Sequence, residues 1–328
     1  MKQSETVLEI DRLSLRLRTQ RGTFTAVNQV SFQIGAGETV ALVGESGCGK
    51  SVTSLSIMGL ISQKTGELDG SIRFKEKVLN RLSEREMRAI RGRDISMIFQ
   101  EPMTSLNPVH TIGKQVGEVF RLHTPLGKQE RRAKAIEMLR KVGIPRPESI
   151  VNEFPHQLSG GMKQRVMIAM AMACEPDLLI ADEPTTALDV TIQAQILDLM
   201  NELKQTAKTA ILLITHDLGV VAEMADRVMV MYYGEIVEEA DVRTIFSAPK
   251  HPYTVGLLQS IPSLETEGGR LTPIDGNVPI LGEIQEGCPF YSRCVHATER
   301  CRKEKPPVVH TGSHSVRCWL YPGREVAI

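Results

Sequence analysis

Two alternating stretches open the chain. Leu8 to Leu17 alternates apolar and polar positions, and Phe24 to Ile34 does so less cleanly before Gly35-Ala36-Gly37 turns the backbone. Thr39-Val40-Ala41-Leu42-Val43 follows as an unbroken β-branched and aliphatic run, the pattern of a strand covered on both faces. Ile95 to Phe99, Leu178 to Ala181, Ala210 to Ile214 and Val228 to Tyr232 repeat that pattern. Helical periodicity fills the intervals at Gln129 to Val142, Met162 to Cys174 and Thr191 to Lys204. Strands alternating with helices predict an α/β fold with a mostly parallel sheet. Between about 101 and 175 helical patterns prevail, broken by the proline loops Leu106-Asn107-Pro108 and Ile144-Pro145-Arg146-Pro147, so a helical subdomain is expected to interrupt the sheet. Beyond about Lys250 prolines and glycines multiply and periodicity fades. The expected organisation is one large domain over 1–250 and a small extension over 251–328.

Composition narrows the class. The 328 residues are 41% hydrophobic, enough for a sizeable core, and Lys+Arg equal Asp+Glu at 39 each. That balance supplies no bulk charge to attract nucleic acid, and no nucleic-acid partner is expected. The longest apolar run, Val166 to Cys174, is far shorter than the roughly 20 residues a membrane-spanning helix needs. Glu9, Asp11 and Arg12 precede any apolar segment, so no signal-peptide core is expected and the chain is placed in the cytosol. In that reducing setting the six cysteines read as thiols or metal ligands rather than disulfides, and four of them fall in the last 41 residues.

The first chemistry lies directly after Val43. Gly44-Glu45-Ser46-Gly47-Cys48-Gly49-Lys50-Ser51 fits G-x-x-x-x-G-K-[ST] and precedes the helical stretch that begins at Val52. Glycines let backbone N–H groups turn inward around a phosphate, and a helix N-terminus adds partial positive charge. Lys50 is expected to reach the β- and γ-phosphates and the Ser51 hydroxyl to bind Mg²⁺. Asp182-Glu183 ends another buried strand. A carboxylate there can hold Mg²⁺ and its neighbour can orient or deprotonate a water.

Leu158-Ser159-Gly160-Gly161-Met162 resembles the signature loop of ABC ATPases, usually LSGGQ, with Met162 in place of the glutamine. Gln100 is similar to the Q-loop glutamine of that family, Ala187-Leu188-Asp189 to its D-loop, and His216 after Leu213-Ile214-Thr215 to its switch histidine. The resemblance implies a RecA-like P-loop NTPase core with an antiparallel β subdomain and an inserted helical subdomain. It also implies ATP and Mg²⁺ as ligands, and head-to-tail pairing in which Ser159, Gly160 and Gly161 face the γ-phosphate on a second ATPase subunit. Glu183, His216, Lys50 and Gln100 take the catalytic roles, with Ser51, Gln100 and Asp182 at Mg²⁺. The family stacks adenine on an aromatic residue upstream of the phosphate loop. Phe24 is the candidate, and a core strand residue is the equal alternative. A soluble ABC ATPase working on DNA or ribosomes typically carries a coiled-coil insertion or two cassettes, and neither is in this sequence. A subunit with a dead ATP site is opposed by Lys50, Asp182, Glu183 and His216.

Ile98 to Pro108, Pro184 to Thr191 and His251-Pro252-Tyr253-Thr254 narrow the resemblance to the oligopeptide and dipeptide importer ATPases. That subfamily implies two transmembrane permease subunits, an extracytoplasmic peptide-binding protein and a place at the cytoplasmic face of the membrane. Cys288, Cys294, Cys301 and Cys318 follow C-x5-C-x6-C-x16-C, without the close pairs of zinc ribbons. In the resembling proteins a similar set binds a four-iron four-sulfur cluster, which is favoured here over Zn²⁺ and over free thiols. No sequence feature connects these cysteines to the phosphate motifs, so a structural or sensing role is expected.

Overall fold

A computed structural model of the chain describes residues 5–20, 22–100, 105–185, 189–260, 274–280, 282–284 and 286–321. The chain divides into two compact units interleaved in sequence. One takes in Met1–Leu8, Gln33–Thr39 and Arg73–Leu213, the other Glu9–Phe32, Val40–Ile72 and Ile214–Ile328.

The alternating N-terminal stretches form β1 (Thr6–Thr19) and β2 (Gly22–Gly35), which join β4 (Gly66–Phe74) and β5 (Lys77–Val78) in a four-stranded sheet ordered β2-β1-β4-β5. Its inward positions, among them Leu8, Ile10, Leu13 and Leu15, are buried while their neighbours face water, as a half-covered sheet requires. The first unit carries three strands in the order β8 (Ala210–Ile214), β7 (Leu178–Asp182) and β6 (Ile95–Ile98). β6 and β7 are parallel, with Ile95 opposite Leu178 and Ile98 opposite Ala181. Every residue of the three is buried, which is why each reads as an unbroken apolar run. Between β6 and β7 lie helices Ile112–His123, Lys128–Lys141, Pro147–Ile150 and Gly160–Met172.

In the second unit β3 (Thr39–Val43) runs parallel to β9 (Arg227–Tyr232). β10 (Glu235–Asp241), β12 (His314–Arg317) and β11 (Val308–Thr311) extend the sheet antiparallel beyond β9. The C-terminal hairpin thus pairs with the sheet directly. Phe290 is 3% exposed and packs on Tyr232 and Tyr253, with ring centroids 5.2 and 5.4 Å away.

Two buried carboxylates hold this arrangement. Glu238 accepts hydrogen bonds from the amides of Lys250 (2.6 Å) and His251 (2.8 Å) and lies 2.7 Å from His314 Nε2. Glu235 takes the Asn28 amide at 2.7 Å and pairs with Lys305. A buried charge is tolerated when it is surrounded by donors in this way. His251 caps helix Pro252–Gln259: its Nδ1 accepts the Tyr253 amide at 3.1 Å, so the ring must be neutral. Burial pushes the His251 imidazole down from its ordinary value to about 3.

A group whose folded-state pKa lies below its unfolded value stabilises the fold above the unfolded pKa and loses that contribution as pH falls. For His251 the loss begins near pH 6.5 and continues toward about 3. His251→Asn keeps a capping side chain that does not titrate. It is expected to retain about 2 kcal/mol more of its neutral-pH stability at pH 5 than the parent does. Paired urea titrations at pH 7.5 and 5 check this, and identical pH dependence in the two proteins would contradict it.

Candidate functional site

In the second unit the phosphate loop turns out of β3 on backbone that only glycine accommodates. Gly44 has φ 152° and Gly49 φ 112°. A Cβ on Gly44 would come within 2.2 Å of the Met231 carbonyl oxygen, and one on Gly49 within 2.8 Å of the Ala26 carbonyl oxygen. Helix Lys50–Ile57 follows, with Ser51 and Val52 in its first turn, and the Gly234 amide donates to the Cys48 carbonyl at 2.8 Å. Lys50 is 7% exposed, and its Nζ donates to the carbonyls of Gly44 (2.7 Å) and Glu45 (3.1 Å). The loop therefore wraps its own cation, and a Cβ on Gly47 would meet nothing within 4 Å. Burial raises the Cys48 thiol pKa, with Lys50 opposing the shift.

The loop has partners in the C-terminal region. The Glu45 amide donates to the Tyr253 hydroxyl at 2.8 Å, and the Glu45 carboxylate receives both Arg293 terminal nitrogens at 2.7 and 3.0 Å. Arg293 neighbours Cys294. This bidentate pair, for which the sequence carries no motif, joins the turn that precedes Cys294 to the phosphate loop. His216, two residues beyond β8, is exposed, and the next residue, Asp217, caps helix Leu218–Met224.

In the first unit Asp182 ends β7 and is 3% exposed. Glu183 follows with φ 50°, a left-handed backbone that costs a non-glycine residue about 1–2 kcal/mol and is characteristic of functional turns. Gln100, just beyond β6, donates its Nε2 to Glu183 Oε2 at 3.0 Å. The parallel pairing of β6 with β7 delivers these two side chains to the same strand ends. Ser159 caps the signature helix by accepting the Met162 amide at 3.3 Å. The helix starts at Gly160, two residues before the periodicity suggests, because the cap governs its first turn. Gln164, 1% exposed and unmarked in the sequence reading, donates its Nε2 to the Pro184 carbonyl at 2.5 Å and ties the signature helix to the turn that bears Glu183. Ala187 and Leu188 of the D-loop lie outside the described residues, as do Glu101 to Thr104.

Phe24 is half-buried on β2 and lines a cavity of about 400 Å³ with Tyr233, Ile284 and Pro289. The Gly282 backbone packs against its ring edge. Cys288, Cys294, Cys301 and Cys318 line one cavity of about 160 Å³ together with His251 and His296. Burial raises the thiol pKa of Cys294 and Cys318 and pushes Cys288 up to about 12, with the neighbouring thiols adding to each shift. Among the described residues no three His, Cys, Asp or Glu side chains converge closely enough to hold a single metal ion. No helix among them is long and apolar enough to cross a membrane.

A glycine-wrapped lysine after a buried strand, paired acids at a strand end and a serine-capped Gly-Gly helix define the ATP-binding cassette type of P-loop protein. The sequence model of the ABC transporter family matches residues 27–186, and that of the oligopeptide/dipeptide transporter C-terminal region matches 237–301. The chain is 53% identical to the dipeptide transport ATP-binding protein DppD of Bacillus subtilis, over 98% of its own length and 96% of the relative's. Against the oligopeptide transport ATP-binding protein AppD of the same organism, identity is 54% over 96% and 97%. It is 50% identical to DppD of Escherichia coli over 92% of each chain. A dimeric post-hydrolysis structure of the ATP-binding cassette MJ0796 bound to ADP and Pi superposes with a TM-score of 0.66 at 28% identity, covering 72% of this chain and 99% of that one. The protein belongs to the ABC transporter ATP-binding family, in the branch with the oligopeptide/dipeptide C-terminal region, and has the cassette fold.

Gln164→Leu keeps the volume of the buried side chain and removes the donor to Pro184. It is expected to cost about 1–3 kcal/mol and to lower the thermal midpoint. Calorimetry on the parent and variant checks this, and coincident transitions would contradict it.

Proposed function

We propose that this chain hydrolyses ATP and so powers an importer of di- or oligopeptides. The single observation that carries the reading is the near-full-length identity to peptide transport ATP-binding proteins. The motif residues take the following roles. Gly44 to Ser51 cradle the triphosphate, with Lys50 on its terminal phosphates. Ser51, Gln100 and Asp182 present oxygen ligands suited to Mg²⁺, which supplies charge neutralisation on the phosphates when bound. The Gln100 amide nitrogen is engaged by Glu183, which turns its carbonyl oxygen toward other partners.

Glu183 orients the attacking water and takes its proton, and the left-handed turn beneath it fixes the direction of the carboxylate. His216 and Lys50 stabilise the charge that develops on the γ-phosphoryl oxygens. Ser159, Gly160 and Gly161 serve the ATP of a second ATPase subunit, identical or paralogous, in a head-to-tail pair. Phe24, half-buried on its cavity, is the proposed wall for adenine. Closure and opening of the pair would drive two permease subunits from the cytoplasmic face of the membrane, with an extracytoplasmic binding protein delivering peptide. Glu183→Gln is expected to bind ATP with unchanged affinity and to lose at least about 100-fold in turnover. Single-turnover hydrolysis by the assembled complex checks this, and parental turnover in the variant would remove Glu183 from the role.

The four late cysteines are proposed to hold an iron–sulfur cluster. Their thiols face one small cavity, and four thiolates are what such a cluster requires. Burial, and to a lesser extent the neighbouring thiols, disfavours the bare thiolates of Cys288, Cys294 and Cys318, and a bound cation would offset that cost. Anaerobic purification is expected to give about four iron atoms per chain and broad visible absorption. Stoichiometric zinc in a colourless protein would reject the assignment.

A further inference from the structure

Glu45 is an anomaly in its position. It is the second residue of a loop built to receive a polyanion, and its carbonyl touches the cation of that loop, with Lys50 Nζ 3.1 Å away. An uncompensated carboxylate there would repel the incoming phosphates and compete for Lys50. The compensating charge comes from far along the chain. Arg293, with its side chain 3% exposed, closes a bidentate fork on Glu45 at 2.7 and 3.0 Å. Its remaining donors are occupied by backbone: Nε by the Asp275 carbonyl at 2.9 Å and Nη2 by the Ile274 carbonyl at 3.4 Å. The guanidinium lies 5.9 Å from the Tyr232 ring centroid and 5.8 Å from that of Phe290. It is locked by five partners on four segments, all within one compact unit.

We propose that Arg293 is a positioning residue for nucleotide binding, which cancels the charge that Glu45 brings to the phosphate loop and holds that carboxylate away from Lys50. Tyr253 completes the hold by accepting the Glu45 amide, so the loop is fixed at both its backbone and its side chain. Arg293 touches no substrate and acts through Glu45. Because it sits in the turn between Cys288 and Cys294, the loop's electrostatics depend on how that turn is seated.

This inference rests on the nucleotide-binding role proposed above, and the test separates the two. Binding of a fluorescent ATP analogue to the full-length protein is titrated for the parent, Arg293→Met, Arg293→Lys, Glu45→Gln and the Arg293→Met/Glu45→Gln double variant. Methionine keeps the packing of the stem on Tyr232 and Phe290, and the nucleotide-free thermal midpoint reports folding independently. Arg293→Met is expected to raise Kd about tenfold, and Arg293→Lys, which keeps the charge without the fork, to recover only part of that loss. The double variant is expected to bind within about twofold of Glu45→Gln, because no carboxylate remains to be cancelled. Parental affinity in Arg293→Met overturns the proposal. So does a deficit that persists undiminished in the Glu45→Gln background, which would make Arg293 a fold residue. A parental protein that binds no analogue refutes the nucleotide-binding role itself, a result distinguishable from either.

Discussion

Everything chemical in this protein depends on one crowded crossing of backbones. The phosphate loop leaves β3 through Gly44 and enters its helix through Gly49, and both pass so close to the Met231 and Ala26 carbonyls that a methyl group would collide. The crowding keeps Lys50 enclosed by the carbonyls of its own loop instead of projecting into water. Pairing between β3 and β9 sets the crossing, since β9 places Met231 against Gly44. The sheet is therefore the mould of the loop, and side chains near the strand ends complete the site rather than build it.

The acidic half follows the same logic with different means. Asp182 needs no special backbone because it ends a straight strand, whereas Glu183 must turn sharply and adopts a left-handed conformation. Gln100 secures its carboxylate and Gln164 secures the next carbonyl. Two neutral amides thus hold the turn without adding charge to it, which leaves the electrostatics to the acids and to whatever they bind.

The parts of this architecture legible in the sequence are those where a local rule operates alone. β3, β6, β7, β8 and β9 are buried on both faces, so their apolar runs could be read directly. The phosphate loop and the serine-capped helix carry fixed spacings imposed by backbone geometry. β10 was hidden because Glu235, Glu238 and Glu239 give it the look of a solvated loop, although the first two are buried and take partners from distant segments. Arg293 was hidden for the same reason: a bidentate pair spanning 248 positions leaves no periodic trace. Sequence reasoning finds residues that obey their neighbours and misses those that answer to the tertiary fold.

The seating of Phe290 against Tyr232 and Tyr253 bears on how such a chain can be cut and recombined. The three rings form a shared hydrophobic lock in which the late segment contributes one member and the nucleotide-binding sheet another. A shortened chain ending before Phe290 would bare the two tyrosines and the edge of β10, inviting self-association through an unpaired strand. The cysteine-bearing tail is thus part of the cassette's own solubility, and grafting it onto a different cassette would require transplanting both tyrosines with it.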